Sequence, residues 1–271
     1  MTDAPNGAVT VVVSPRDSFS QSLRCLDRLL ECTPSPHRVV YVDGGSPDAI
    51  ARAFATRARA ADFALLRSDC LLTPNRARNL ALELVRSETE PAWTAFVDND
   101  SYVEVGWVEA LRACGEETGA AAVVPLLCIG PPDRPRIHVA GGHSAIVSDR
   151  GVRRFEESHP FLNEPVMPAR DGMSRRPCGL FEFHAVLVRT ECLRQETPLD
   201  EELRSLLEHV DLGLLIQEHG GSIWFEPSVS VTHIPTAPIR GDDRRFFLVR
   251  WSDEWNASTG VRFCEKWQLA A

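Results

Sequence analysis

The chain has 271 residues, 44% of them hydrophobic and 25% charged, with a net charge of −9. It is long enough to bury a substantial core, and its acidity, with no basic tail or basic helix, disfavours nucleic-acid binding. None of its eight cysteines forms a C-x-x-C pair, so neither a zinc ribbon nor a redox pair is signalled, and the cysteines read as small buried residues of a reduced compartment. The N-terminus lacks a charged region followed by an apolar run, so no signal peptide is read, and no stretch approaches the ~20 apolar residues that a membrane span needs. A cytoplasmic location is expected, with peripheral membrane attachment left open.

In chain order, Val9-Thr10-Val11-Val12-Val13 is a β-branched run of the kind that forms a strand buried on both faces. Ser14 to Asp17 is a loop, and residues 18–32 are a helix with Leu23, Leu26, Leu29 and Leu30 on one face. Arg38 to Val42 is a second strand ending in the turn Asp43 to Asp48. Residues 48–60 are a helix, Ala64 to Leu66 a short strand, Asn75 to Val85 a helix, and Ala95 to Val97 a strand running into Asp98-Asn99-Asp100. Strands alternating with helices predict an α/β fold with a mainly parallel central sheet flanked by helices. After residue 120 the rhythm changes and a small antiparallel part is expected. Ala121 to Val124 is a strand, 130–136 a proline-rich loop, and 137–147 and 152–155 are antiparallel pieces around Gly141-Gly142. Residues 156–178 form a surface loop, 181–188 a strand, 203–219 a helix stopped by Gly220-Gly221, and 223–225 and 229–233 strands. The tail from Ile234 shows no clear period. No linker or internal repeat divides the chain, so one continuous domain is expected.

In an open α/β sheet, ligands gather beyond the carboxyl ends of the strands. Ser14 to Arg16, Asp43 to Ser46 and Asp98 to Asp100 all follow strands. The first turn carries no G-x-G-x-x-G, which argues against a nicotinamide-binding domain. Asp98 and Asp100, two apart on an extended segment, point to one side, and an oxygen-rich pair suits a hard cation such as Mg²⁺ or Mn²⁺ that can bridge to a diphosphate. Taken alone, the pair also reads as a polar turn. Arg76, Arg78 and Asn79 open a helix, where guanidinium forks and the helix end both favour phosphate oxygens. His233 ends a strand face that is otherwise apolar through Val229 and Val231. Glu208-His209-Val210-Asp211 starts a helix, where acids gain from the helix dipole. His138, His143, Glu182 and His184 are candidates for an acceptor pocket or for a half-exposed strand face. Trp251, Trp255 and Trp267 would stack on a sugar or pack, and Arg244, Arg245 and Arg250 would close over a diphosphate if the tail is a lid.

The succession VTVVVS, YVDGGSPD, NRARNLAL, FVDND, EHVDLGLLIQEHGG and VTH, in that order over about residues 8–235, resembles family-2 glycosyltransferases of the GT-A fold, the nucleotide-diphospho-sugar transferase fold. The resemblance implies one domain over 1–235, with a nucleotide-binding half at 8–100 and a metal and acceptor half at 101–235. Residues 236–271 carry no family signal and are an extension that would act as a lid. It implies a metal-dependent hexosyl- or N-acetylhexosaminyltransferase moving a sugar from a nucleotide-sugar donor, usually a UDP-sugar, to an acceptor hydroxyl. The acceptor would be a saccharide, a peptide or a small natural product. Ser14, Arg16, Asp43 and Gly45 would hold the nucleotide, and Arg78 and Asn79 would lie by the diphosphate and sugar. Asp98 and Asp100 match the D-x-D motif: Asp100 would bind Mn²⁺ or Mg²⁺ directly, Asp98 would face the ribose or share the metal, and His233 would be a further metal ligand. Glu208 would bind the acceptor. The second acid of the family's pair, usually the general base, is His209 here, and Asp211 would orient or replace it. A neutral histidine can take the proton, so inversion is favoured over retention. Gly44 stands where the family often has a second Asp. Competing readings are a catalytically inactive sugar-nucleotide binding protein, suggested by Gly44 and His209, and a sugar-phosphate nucleotidyltransferase, which would normally carry a glycine-rich basic loop after the first strand.

Overall fold

The computed structural model describes residues 9–16, 18–34, 36–87, 91–204, 206–235 and 238–269. The first eight residues of the expected domain, Asp17 of the first loop, Ser205 of the expected 203–219 helix, and residues 236–237 and 270–271 of the expected extension lie outside them. The chain begins with β1 (Val9–Ser14), α1 (Ser22–Cys32), β2 (Arg38–Gly44), α2 (Asp48–Ala61), β3 (Ala64–Ser68), α3 (Pro74–Ser87) and β4 (Trp93–Asp98). There follow β5 (Ser101–Val103), α4 (Trp107–Thr118), β6 (Ala122–Ile129), β7 (Arg136–Val139), β8 (His143–Asp149), β9 (Val152–Ser158), α5 (Val166–Ala169), β10 (Arg176–Cys178), β11 (Ala185–Arg189), α6 (Glu208–Glu218), β12 (Ile223–His233), α7 (Gly241–Arg250) and α8 (Asp253–Trp267).

All six residues of β1 and all six of β4 are buried, as strands with neighbours on both edges and layers on both faces must be. The main sheet runs β10-β12-β6-β11-β4-β1-β2-β3. From β1 the chain steps outward through β2 and β3, then returns to β4 on the other side of β1, all in parallel. This reversal makes a switch point between β1 and β4, where the crevice beyond the strand ends opens. Ser14 and Asp98 stand in register across it.

The second half is mixed. β11 lies antiparallel between β4 and β6, and β12 runs parallel to β6. β5 pairs antiparallel with the end of β12 and sets Ser101 opposite His233. β8 and β9 form a separate hairpin. One apolar core spans both halves, with Phe96, Phe181, Phe225 and Trp107 among its fully buried side chains.

Several expectations are corrected. The strand expected at 181–188 begins at Ala185; Glu182 and His184 sit in the turn before it, drawn inward by the polar network described below. The helix expected over 203–219 begins at Glu208, because Leu207 takes φ +63° and cannot continue a right-handed helix. The segments 223–225 and 229–233 are one strand with an irregularity between Glu226 and Ser230. β5 and α4 were not expected. Nor were α7 and α8, because buried Asp243 and Arg250 interrupt the apolar period of α7, and Thr259 interrupts the buried stripe Trp255, Phe263, Trp267 of α8. All eight cysteines are free, and only Cys25, Cys32, Cys114 and Cys128 are buried while Cys70 is exposed. Among the described residues, no helix is long and apolar enough to cross a membrane.

Candidate active site

The strand ends at the β1–β4 switch point are braced by Asn99. Its backbone N–H donates to the Ser14 carbonyl at 2.9 Å. Its Oδ1 accepts the Arg16 N–H at 2.9 Å, and its side-chain amide donates to the Ser18 carbonyl at 3.0 Å. The amide between the two acids therefore fixes the loop after β1.

Asp100 is fully buried, and its Oδ1 lies 3.2 Å from His233 Nδ1. The Ile234 N–H donates to the Asp100 carbonyl at 2.9 Å, and His233 pairs with Ser101. The end of β12 is thus clamped to the chain just after β4, which holds acid and imidazole together. Burial opposes ionisation of Asp100, but His233 outweighs it and keeps the carboxyl below its ordinary pKa. Two ligands bound at about 2.1 Å and at right angles stand about 3.0 Å apart. A carboxylate oxygen and an imidazole nitrogen at that spacing fit Mn²⁺, and Mg²⁺ with more bound water.

Asp98 is committed elsewhere. Its Oδ1 accepts from Arg78 Nη2 at 2.8 Å. Its Oδ2 lies 3.0 Å from His184 Nδ1 and 3.7 Å from Arg16 Nε. Burial would raise its pKa; His184, Arg78 and Arg16 outweigh burial and hold it well below the carboxylate range. The residue closest to joining Asp100 and His233 is instead His184: one ligand atom from each of the three lies within 4.8 Å of the others. Of the expected set, Asp100 and His233 stand together, while the oxygens of Asp98 face Arg78, Arg16 and His184. His184 is also flanked by Glu182, 3.0 Å from its Nε2. Burial opposes its charge, but Asp98 and Glu182 lift its pKa to about 10.

Arg78 is fully buried, lies 3.6 Å over the Phe183 ring and bonds Asn75 and Asp98. Asn79 bonds the Leu199 carbonyl and Glu201, while Arg76 pairs with Glu201. None of the three is placed as a diphosphate fork. The arginine orients Asp98, and the asparagine pins the segment before α6.

At the start of α6, Glu208 is buried and forms an ion pair with Arg16, which outweighs its burial and lowers its pKa. His209 is half-buried. Burial holds its pKa below 6.5 although Glu182 and Glu208 pull upward, so it is neutral at pH 7. Asp211 is placed differently from expectation. Its Oδ2 accepts from Lys266 at 2.8 Å and its Oδ1 from Trp267 Nε1 at 2.9 Å. Burial raises its pKa, but both oxygens are held by α8, so it neither orients His209 nor offers a free base.

Asp43 is buried and turned into its own loop. It accepts from Ser46 N at 3.0 Å and Ser46 Oγ at 2.9 Å, and it pairs with Arg67, which lies opposite it in the β2–β3 register. Gly45 takes φ +85°, and a Cβ there would meet the Cys70 carbonyl at 2.8 Å. A Cβ on Gly44 would meet Pro15 Cγ at 2.7 Å, so a side chain there has little room unless Pro15 shifts. Beside this turn lies a cleft of about 400 Å³ lined by Phe19, Ser46, Arg67, Asp69, Asp242 and Arg245, among others. Asp43 does not line it and touches it through Arg67 and Ser46. Arg67 and Asp242 had no local sequence signal; strand register and the α7 packing bring them beside Arg245, which the sequence had offered as closing over a diphosphate. A larger cleft, about 700 Å³, is lined by His143, His159, Arg176 and Gln217 and contains none of the residues above.

α7 and α8 pack onto the site. Asp243 accepts from Ser20 N at 2.8 Å and Ser18 Oγ at 3.2 Å, and buried Arg250 donates to the Arg16 carbonyl at 3.3 Å. Trp255 and Trp267 are buried, whereas Trp251 is exposed.

The family model for glycosyl transferase family 2 matches residues 11–165, more than half the chain. His184, Glu208, His209 and His233 lie beyond that stretch. Among solved structures, the chain is similar to the crystal structure of GalNAc-T7 with UDP, GalNAc and Mn²⁺, at 14% identity and a TM-score of 0.62. The alignment covers 97% of this chain and 55% of that one, so the chain spans about half the length of that protein. The likeness shows the GT-A fold. A search of curated proteins found no match.

Proposed function

The chain belongs to glycosyl transferase family 2, and on that premise we propose that it transfers a hexosyl or N-acetylhexosaminyl group, with inversion, from a UDP-sugar to an acceptor hydroxyl with the help of a divalent metal. The observation that carries the reading is the Asp100–His233 pair, 3.2 Å apart where the end of β12 meets the chain just after β4. These two residues would hold Mn²⁺ or Mg²⁺, which supplies Lewis-acid stabilisation of the departing diphosphate. Asp98 orients His184 and is itself fixed by Arg78. The cleft beside Asp43 takes the nucleoside, with Arg67 offering donors to the acceptor edge of the base. Ser14, Arg16 and Asn99 shape the loop over the ribose, and Gly45 lets the backbone approach it.

For the proton, the geometry favours His209. Glu208 is neutralised by Arg16, and Asp211 is held by Lys266 and Trp267. A half-buried neutral imidazole is the remaining base, and a base on the acceptor side supports inversion. The division into a donor half, an acceptor half and a C-terminal extension belongs to this proposal, with α7 acting as a fixed wall of the nucleoside cleft. The test is release of UDP from a panel of UDP-sugars with Mn²⁺ present or withheld, and the anomeric configuration of the product by NMR. Metal-dependent release and an inverted product are expected. Release independent of metal overturns the metal role, and a retained product overturns inversion.

A further inference from the structure

His138, Glu182 and His184 converge beside the donor site. His138 Nε2 stands 3.1 Å from Glu182 Oε1, and His184 Nε2 stands 3.0 Å from Glu182 Oε2. A ligand atom from each of the three lies within 4.8 Å of the others. The first comes from β7; the other two come from the turn ahead of β11, two residues apart. Nitrogens at such distances from a carboxylate match donor atoms arranged around one ion at about 2.1 Å.

The allegiance of His184 decides the matter, because it also stands near Asp100 and His233. Its ring is stacked on that of His233, with centroids 4.3 Å apart and planes 13° from parallel. An imidazole lone pair lies in the plane of its ring. Two rings stacked in this way send their lone pairs along separate, nearly parallel planes, and these do not meet at one ion. His184 therefore does not share an ion with His233 in this arrangement. Its Nδ1 lies 3.0 Å from Asp98 Oδ2 and its Nε2 3.0 Å from Glu182 Oε2, so Nε2 is the nitrogen turned toward Glu182 and His138, and a bound cation would take the place of the proton there. A metal-bound histidine characteristically has its second nitrogen on a carboxylate in this way, which fixes tautomer and ring orientation.

We propose that His138, Glu182 and His184 form a second divalent-cation site, a two-histidine, one-carboxylate set beside the Asp100–His233 pair. Nitrogen and carboxylate ligands together suit Mn²⁺, Fe²⁺ or Zn²⁺ and leave coordination positions open. The His138 side chain is 25% exposed, so the open positions are reachable from solvent, and the ligand class that fits them is an oxygen donor: water, a hydroxyl or a carboxylate.

The test is equilibrium dialysis of the full chain against Mn²⁺, with bound metal counted per chain. Wild type should hold two ions. His138→Ala and Glu182→Gln should each hold one, as should Asp100→Ala. Glu182→Gln keeps the shape of the side chain, so it reads the ligand role even if His138→Ala is poorly folded. One ion in wild type, lost in Asp100→Ala and kept in the other two variants, overturns the second site and leaves the donor-site reading intact. One ion in wild type, lost in His138→Ala and Glu182→Gln and kept in Asp100→Ala, supports the second site and overturns the first. Two ions in all variants overturn the assignment to these residues, and none in wild type overturns both sites.

Discussion

At the ends of β1 and β4, the charged side chains are buried and already paired with one another, whereas on β7 and before β11 His138 and Glu182 are only partly buried and join that network through His184. The first region is rigid in the sense that matters for catalysis: Asn99, Arg78 and Arg16 set the carboxylates before any ligand arrives, so no reorganisation is left for the reaction itself. The second region is carried on β7, which pairs with β6 in the main sheet, and on the turn before β11, and it reaches the surface at His138. On the proposed reading, the fixed region would serve the donor diphosphate and the more open one the acceptor.

The largest effect should come from the buried side of the comparison. Asp100→Ala removes an anchor of the metal pair and should lower turnover by about 10³-fold, on the scale of losing one major electrostatic contact to the developing charge. UDP release measures it, and a loss under tenfold would break the contrast between the regions. Next, His209→Ala should cost about 10²–10⁴-fold in kcat, the usual share of a general base, with donor KM nearly unchanged. Asp211→Asn should leave kcat within a few-fold and instead lower the melting temperature, because its two oxygens serve Lys266 and Trp267. If the two variants exchange these behaviours, Asp211 is the base.

The pH profile sharpens the same point. The base must be unprotonated, and burial depresses the pKa of His209 below 6.5. Activity should therefore be flat through pH 7 and fall on the acid side, with a midpoint below 6.5, and His209→Ala should abolish that limb. The smallest effect is expected from Asp243→Ala. It deletes two hydrogen bonds to the loop after β1, together worth about 1–2 kcal/mol, and should raise donor KM several-fold while kcat holds.

The two regions also differed in how far their sequence could be read. Val9 to Val13, the turn at Asp43 and the run into Asp98-Asn99-Asp100 announce themselves because strand, turn and acids are neighbours in the chain. His233 was legible as the polar end of an apolar strand face. The pairing of Arg67 with Asp43, of Arg78 with Asp98 and of Asp211 with α8 was not, because each depends on strand register or on helices that pack from far along the chain. Glu182 and His184 looked like alternating strand residues and proved to lie in a turn, where both face inward. Alternation reports the faces of a strand only while the segment is a strand.

The central claim is that Asp100 anchors a metal through which a nucleotide sugar binds. The most direct measurement is the melting temperature of wild type and Asp100→Ala with a panel of nucleotide sugars, with Mn²⁺ and without it. A ligand at 100 times its Kd adds about 2.7 kcal/mol of stability, or roughly 5–10 °C for a domain of this size. The account predicts such a rise for wild type with Mn²⁺ and at least one UDP-sugar, and none for Asp100→Ala. No rise with any nucleotide sugar, or an equal rise in both proteins, would contradict it.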